Sequence, residues 1–123
     1  MIILVIIGTN TNDGTIFIPS LVDVAQSVYN ASFALESFVS AFAVDLPAGS
    51  AEQVLALYPL SSYNNSAVAA AAEIFADLAF VCPMLNLSKA MTSTGVPVYR
   101  YRFNQLLQEA SSIWARDGVY VIL

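Results

Sequence analysis

An unbroken apolar run from Met1 to Ile7 is followed at once by Gly8 and a polar stretch from Thr9 to Asp13. An apolar, mostly β-branched run closed by a glycine predicts a strand over about 2–8, buried on both faces, of the kind found in parallel sheets. A second strand is predicted over 96–103, where Val96, Val98, Arg100 and Arg102 alternate with Pro97, Tyr99, Tyr101 and Phe103. Between the two, the apolar period lengthens to that of a helix. Ser32 is placed to cap a helix carrying Phe33, Leu35, Phe38, Val39 and Phe42, which Pro47 stops. Ser50-Ala51-Glu52-Gln53 has the form of a capping box, in which the serine oxygen and the glutamine side chain satisfy each other's backbone amides; Pro59 closes that shorter helix. Turn-forming residues from Ser61 to Asn65 lead into the clearest helix, Ser66 to Cys82, whose many alanines predict burial on most of its surface. Pro83 kinks or restarts this helix, which continues through Leu85, Leu87 and Met91 to Gly95. Asn104 to Asp117 reads as a weaker helix or loop. Strand, helical region, strand is an α/β order.

Composition changes the picture, because 58% of the 123 residues are hydrophobic and only 11% are charged. Average domains hold about 45–50% and about 25% respectively, so the polar surface is too small to cover an independent core. Either a membrane or more protein is expected to cover the excess. The longest apolar stretch, Ala67 to Leu85, contains Glu73, Asp77 and Pro83. Each acid at mid-bilayer costs about 2.5–3.5 kcal/mol, so burial in a larger protein is expected rather than a span. The run from Met1 to Gly8 lacks the basic flank and cleavage site of a signal peptide.

A net charge of −5 argues against the extended basic surface that a nucleic acid requires, so no nucleic-acid partner is expected. The aromatic row beside Arg100 and Arg102 is instead read as a sheet strand with its arginines paired to nearby acids. With no histidine and one cysteine, the chain cannot assemble a His/Cys zinc site or an internal disulfide, and no cofactor is expected. Cys82 is expected to be a buried thiol. Glu73 and Asp77, four apart on one helix, read as a solvated stripe rather than a catalytic pair of carboxylates. Three acceptor sequons begin at Asn30, Asn64 and Asn86, and glycosylation there would imply a secreted chain.

The acid that stands out is Asp13, just past the carboxyl end of the first strand, the edge where open α/β sheets place their ligands. Asn12-Asp13-Gly14 also suits a tight turn, and residue types alone leave both readings open.

The run from Ile7 to Phe17, Ile-Gly-Thr-Asn-Thr-Asn-Asp-Gly-Thr-Ile-Phe, resembles the segment around the catalytic acid of type B carboxylesterases, the cholinesterase-like branch of the α/β hydrolases. Leu57-Tyr58-Pro59, Phe80-Val81-Cys82-Pro83 and Pro97 to Phe103 resemble further segments of that family in the same order, and Gly118-Val119-Tyr120 resembles the tripeptide before its catalytic histidine. The resemblance implies a partial α/β-hydrolase fold, with residues 1–123 an incomplete C-terminal portion of a carboxylesterase type B domain that needs the rest of the domain to fold. It implies a serine hydrolase or lipase acting on a small carboxylic ester, with Asp13 as the triad acid, and a secreted parent. In some members a cysteine placed like Cys82 pairs with one near the C-terminus.

Departures from the family pattern carry equal weight. No G-x-S-x-G elbow occurs, and Val121 stands where the family has histidine, so neither nucleophile nor general base is in the chain. The family usually has glutamate at the acid position, one methylene longer than Asp13. The isolated chain is therefore expected to be inactive. A non-catalytic, cholinesterase-like partner-binding protein is the alternative.

Overall fold

The computed structural model describes residues 3–11, 13–18 and 20–104. Strand β1 (Val5–Asn10) pairs in parallel with strand β2 (Val98–Phe103), Val5 opposite Val98 and Asn10 opposite Phe103. Helices α1 (Ser20–Val28), α2 (Ala31–Phe42), α3 (Ser50–Leu57), α4 (Ala67–Ala76) and α5 (Cys82–Ser93) lie between them in sequence. The chain divides into two compact units, one of residues 17–74 and one of residues 1–16 with 75–123.

In the unit that holds the strands, the parallel sheet expected from the apolar run is present. Its first strand, however, starts three residues later and ends two residues later than the 2–8 expected. Backbone pairing fixes the ends: Val5 N–H donates to Pro97 O, and Thr11 N–H donates to Phe103 O at 2.9 Å. Ladder bonds carry β1 into the polar Thr9 and Asn10, while Ile3 and Leu4 stay outside it and exposed.

Residues opposite each other in register share a face. One face carries Ile7 with Arg100 and Thr9 with Arg102; the other carries Ile6 with Tyr99 and Gly8 with Tyr101. Side chains of α5 line clefts with the first face. The second is open, with Ile6 67% and Tyr99 62% exposed. The expected burial on both faces is therefore not found, since among the described residues one helix covers one side. Tyr101 lays its ring where a Cβ on Gly8 would stand, which is why glycine interrupts the apolar run.

The unit of residues 17–74 is helical. Its core is Leu35, Phe38 and Val39 of α2 with Val22 of α1 and the closely packed Ala67, Ala70 and Ala71 of α4. Ala67 N–H donates to Gln26 Oε1, tying the start of α4 to α1, and Ser66 Oγ accepts from Ala69 N–H at the start of α4. Helix α1, which the periodicity did not separate from its surroundings, ends just before the cap of α2.

That cap is Asn30, not Ser32. Asn30 is extended and its Oδ1 accepts from Phe33 N–H at 2.8 Å, while the Tyr29 and Phe33 rings pack 4.7 Å apart over the first turn. The helix also ends at Phe42, ahead of Pro47. Asn30→Ala is expected to destabilise α2 by about 1 kcal/mol. Asn30→Asp, which keeps the acceptor and removes the glycosylation sequon, is expected to retain α2; amide exchange of Phe33 to Leu35 in the two variants checks this.

The capping box at Ser50 does not form. Gly49, at φ +86°, precedes α3 with no side-chain bond, and Gln53 N–H donates to Gly49 O. After α3, Pro59 opens a 3-10 turn over Leu60–Tyr63 as the chain bends, and Asn64 and Asn65 follow in the left-handed region at φ 53° and 58°. Asparagine tolerates that region better than other side-chain-bearing residues.

The helix from Ser66 does not break at Pro83. Asp77–Val81 form a π turn closed by Cys82 N–H on Asp77 O, and α5 runs on to Ser93. Proline lacks an N–H and collides with the carbonyl four residues back, here Ala79; the wider turn gives that carbonyl room. Gly95, at φ +82°, ends the helix in a Schellman motif, with Val96 N–H on Met91 O and Gly95 N–H on Thr92 O. Ala67–Ser93 is thus one 27-residue helical stretch, long and apolar enough by length and composition to cross a membrane. Burial along it is uneven, with Ala67 to Ala72 mostly covered and Leu78, Ala79 and Leu87 exposed.

Many large apolar side chains face solvent, among them Ile3, Ile6, Phe17, Val44, Leu57 and Leu78. The chain alone is expected to bind a hydrophobic dye on this uncovered surface. A monomer that leaves the dye dark contradicts this.

Candidate functional site

Parallel pairing brings the carboxyl ends of β1 and β2 to one edge of the sheet. Asp13 sits at that edge, half-buried, in the turn that follows β1. Its Oδ2 accepts from Asn10 N–H at 2.7 Å, so the carboxylate satisfies the strand's last amide and fixes its own direction. Gly14 is buried, and Thr15–Phe17 form a 3-10 turn that leads the chain away. The turn-former and the edge acid are thus one residue.

Across the edge, Arg102 Nε donates to Thr11 Oγ1 at 3.1 Å. The expected pairing of this arginine with an acid gives way to a hydroxyl, because its neighbour in register is Thr9 and the chain beyond is Thr11. Among the described residues Asn10 Oδ1 is buried without a hydrogen-bond partner, which makes the strand end a place where a further donor would be stabilising.

Beside Asp13 lies a cleft of about 270 Å³, walled by Ile7, Thr9 and Asp13 on the strand side and Phe80, Met84 and Leu87 on the helix side. The π turn matters here, since it carries Ala79 and Phe80 to the cleft mouth. A carboxylate at the rim of a largely apolar cleft can orient a cationic or N–H partner, and low local polarity strengthens that attraction. It cannot by itself activate a nucleophile.

Other expected site residues are scattered. Asn30 caps α2, Asn64 is exposed in its left-handed turn, and Asn86 is exposed within α5. Cys82, expected to be buried, is exposed and unbonded, because it lies on the outward side of α5 where it begins. Glu73 and Asp77 are each half-buried. Gly118-Val119-Tyr120, Val121 and the Asn104–Asp117 segment past Asn104 lie outside the described residues. Among the described residues, no group of three or more His, Cys, Asp or Glu side chains is placed to hold a metal. The sequence did not foretell the cleft, because the π turn that shapes it leaves no residue signature beyond the proline it accommodates.

The family model described as Carboxylesterase family matches residues 2–119. No curated protein and no solved structure matches the chain.

Proposed function

Because the chain belongs to the carboxylesterase family, we propose that it is a segment of an α/β-hydrolase domain that supplies the triad acid, Asp13, for hydrolysis of a small carboxylic ester. The observation that carries this reading is the parallel register of β1 and β2, with Asp13 just beyond the edge where both strands end. In the order that such folds use, Ser then acid then His, an acid follows one strand and the histidine follows a later one. The chain leaving β2 at Asn104 starts from the same edge as Asp13.

In this role Asp13 accepts a hydrogen bond from the imidazole, holds its tautomer, and stabilises the imidazolium that forms while serine attacks the ester carbonyl. Among the described residues only Asn10 N–H engages the carboxylate, through Oδ2. The nucleophile, the oxyanion-hole amides and, because Val121 takes the position where the family has histidine, the imidazole itself would have to come from outside this sequence. The shorter aspartate reaches about one methylene less far than the usual glutamate, so the histidine must approach the strand end more closely. A secreted, glycosylated parent fits the three sequons, of which exposed Asn30, Asn64 and Asn86 are the acceptors.

The test is to graft residues 7–17 into an active carboxylesterase of the family in place of its own acid loop. Turnover that depends on the Asp13 carboxylate supports the role. Turnover indifferent to it does not.

A further inference from the structure

At the opposite, amino edge of the same unit, α5 and β2 enclose an open groove lined by Ser88, Lys89, Thr92, Ser93, Val98 and Arg100. The chain has four basic residues against nine acids, yet two of the four meet in this groove and no carboxylate lines it. Chance pairing in so acidic a chain would favour the reverse. Arg100 belongs to the sheet face that α5 covers, opposite Ile7, where an apolar side chain would be ordinary. Neither Lys89 nor Arg100 forms an ion pair among the described residues, and both are exposed.

We propose that this groove binds a multiply charged oxyanion, phosphate or a phosphate monoester, between Lys89 and Arg100. Two like charges facing one groove repel, and an anion between them turns that repulsion into two charge-assisted bonds. Arginine offers a planar fork of donors to phosphate oxygens and lysine a compact charge. Thr92 adds a hydroxyl donor. Ser88 and Ser93 do not, because their hydroxyls already donate to Met84 O and Ala90 O. The carboxyl end of α5 opposes an anion with about half a negative charge, which two full positive charges outweigh. The groove lies away from the Asp13 cleft, and the proposal does not rest on the esterase reading.

Hydrogen exchange of the full chain, followed by mass spectrometry at low protein concentration and constant ionic strength, tests it with inorganic phosphate as the probe. Phosphate is expected to slow exchange saturably in peptides spanning Ser88 to Asn104, by about tenfold at ten times the dissociation constant. Acetate at the same ionic strength is expected to leave them unchanged. Lys89→Gln and Arg100→Gln are each expected to weaken the effect about tenfold. Arg102→Gln, outside the groove, is expected to change it less than about twofold. Far-UV circular dichroism confirms that the three variants keep the helix content of the parent. Phenyl phosphate in place of phosphate separates a site that accepts monoesters from one that closes around the free ion. Absence of saturable protection, or equal weakening by Arg102→Gln, overturns the proposal.

Discussion

Purified chain is expected to hydrolyse 4-nitrophenyl acetate no faster than buffer, before and after treatment with a serine-directed phosphonate. A hydrolase of this kind needs a serine made nucleophilic by an adjacent base and a base that returns the proton to the leaving group. The chain has no histidine and no G-x-S-x-G elbow, and the valine at position 121 can neither take nor give a proton. In a serine protease, loss of either serine or histidine alone lowers kcat by about 10⁶, because the remaining members have nothing to act through. An acid on its own falls in that class. Hydrolysis above background that the phosphonate abolishes contradicts the assignment and requires a nucleophile outside the pattern.

In the grafted esterase, Asp13→Asn is expected to lower kcat by about 10³–10⁴ with little change in KM. This substitution separates the two readings of the Asn12-Asp13-Gly14 turn. An asparagine oxygen can still accept from Asn10 N–H, so the turn bond survives. What it cannot do is stabilise an imidazolium or hold the correct tautomer. If Asp13 only shapes the turn, the asparagine graft turns over as fast as the aspartate one. Asp13→Glu in the same graft is expected to retain or raise activity, since glutamate is the family's usual acid. Steady-state kinetics on the three grafts, with folding checked by circular dichroism, decides between them.

Pattern alone indicated the two strands and their parallel relation from an apolar run closed by a glycine, although the burial on both faces which that reading assumed is not found among the described residues. The observed β1 starts three residues later and ends two residues later than the pattern indicates. Hydrophobicity marks what wants burial, whereas the ladder ends where Pro97 and Phe103 present their carbonyls. Caps were misread for a related reason. Ser32 and Ser50 are good acceptors by type, but Asn30 and Gly49 hold the backbone geometry at which each helix can start. The proline at 83 was legible as a disturbance; its resolution as a π turn depends on how the carbonyls of Asp77 to Ala79 find donors, which no residue type announces.

Asp13 itself was legible as an acid in the turn past the carboxyl end of β1, and the structure places it there. Its bond to Asn10 is the turn-former's bond, while its place at the shared carboxyl edge follows from a partner strand 93 residues further on, Val98 opposite Val5 at the start of the register. Long-range register is what local pattern cannot supply. The exposed Cys82 shows the same limit, since its exposure depends on which side of α5 meets the sheet.

Everything in the functional reading rests on β1 and β2 running in the same direction. Paired cysteines measure this directly in a Cys82→Ser background: Val5→Cys with Val98→Cys, against Val5→Cys with Phe103→Cys. Mild oxidation is expected to close the first pair quickly and leave the second open, because Val5 stands opposite Val98. Rapid closure of the second pair with the first left open would mean antiparallel strands, would send the chain after β2 to the far edge from Asp13, and would contradict the assignment.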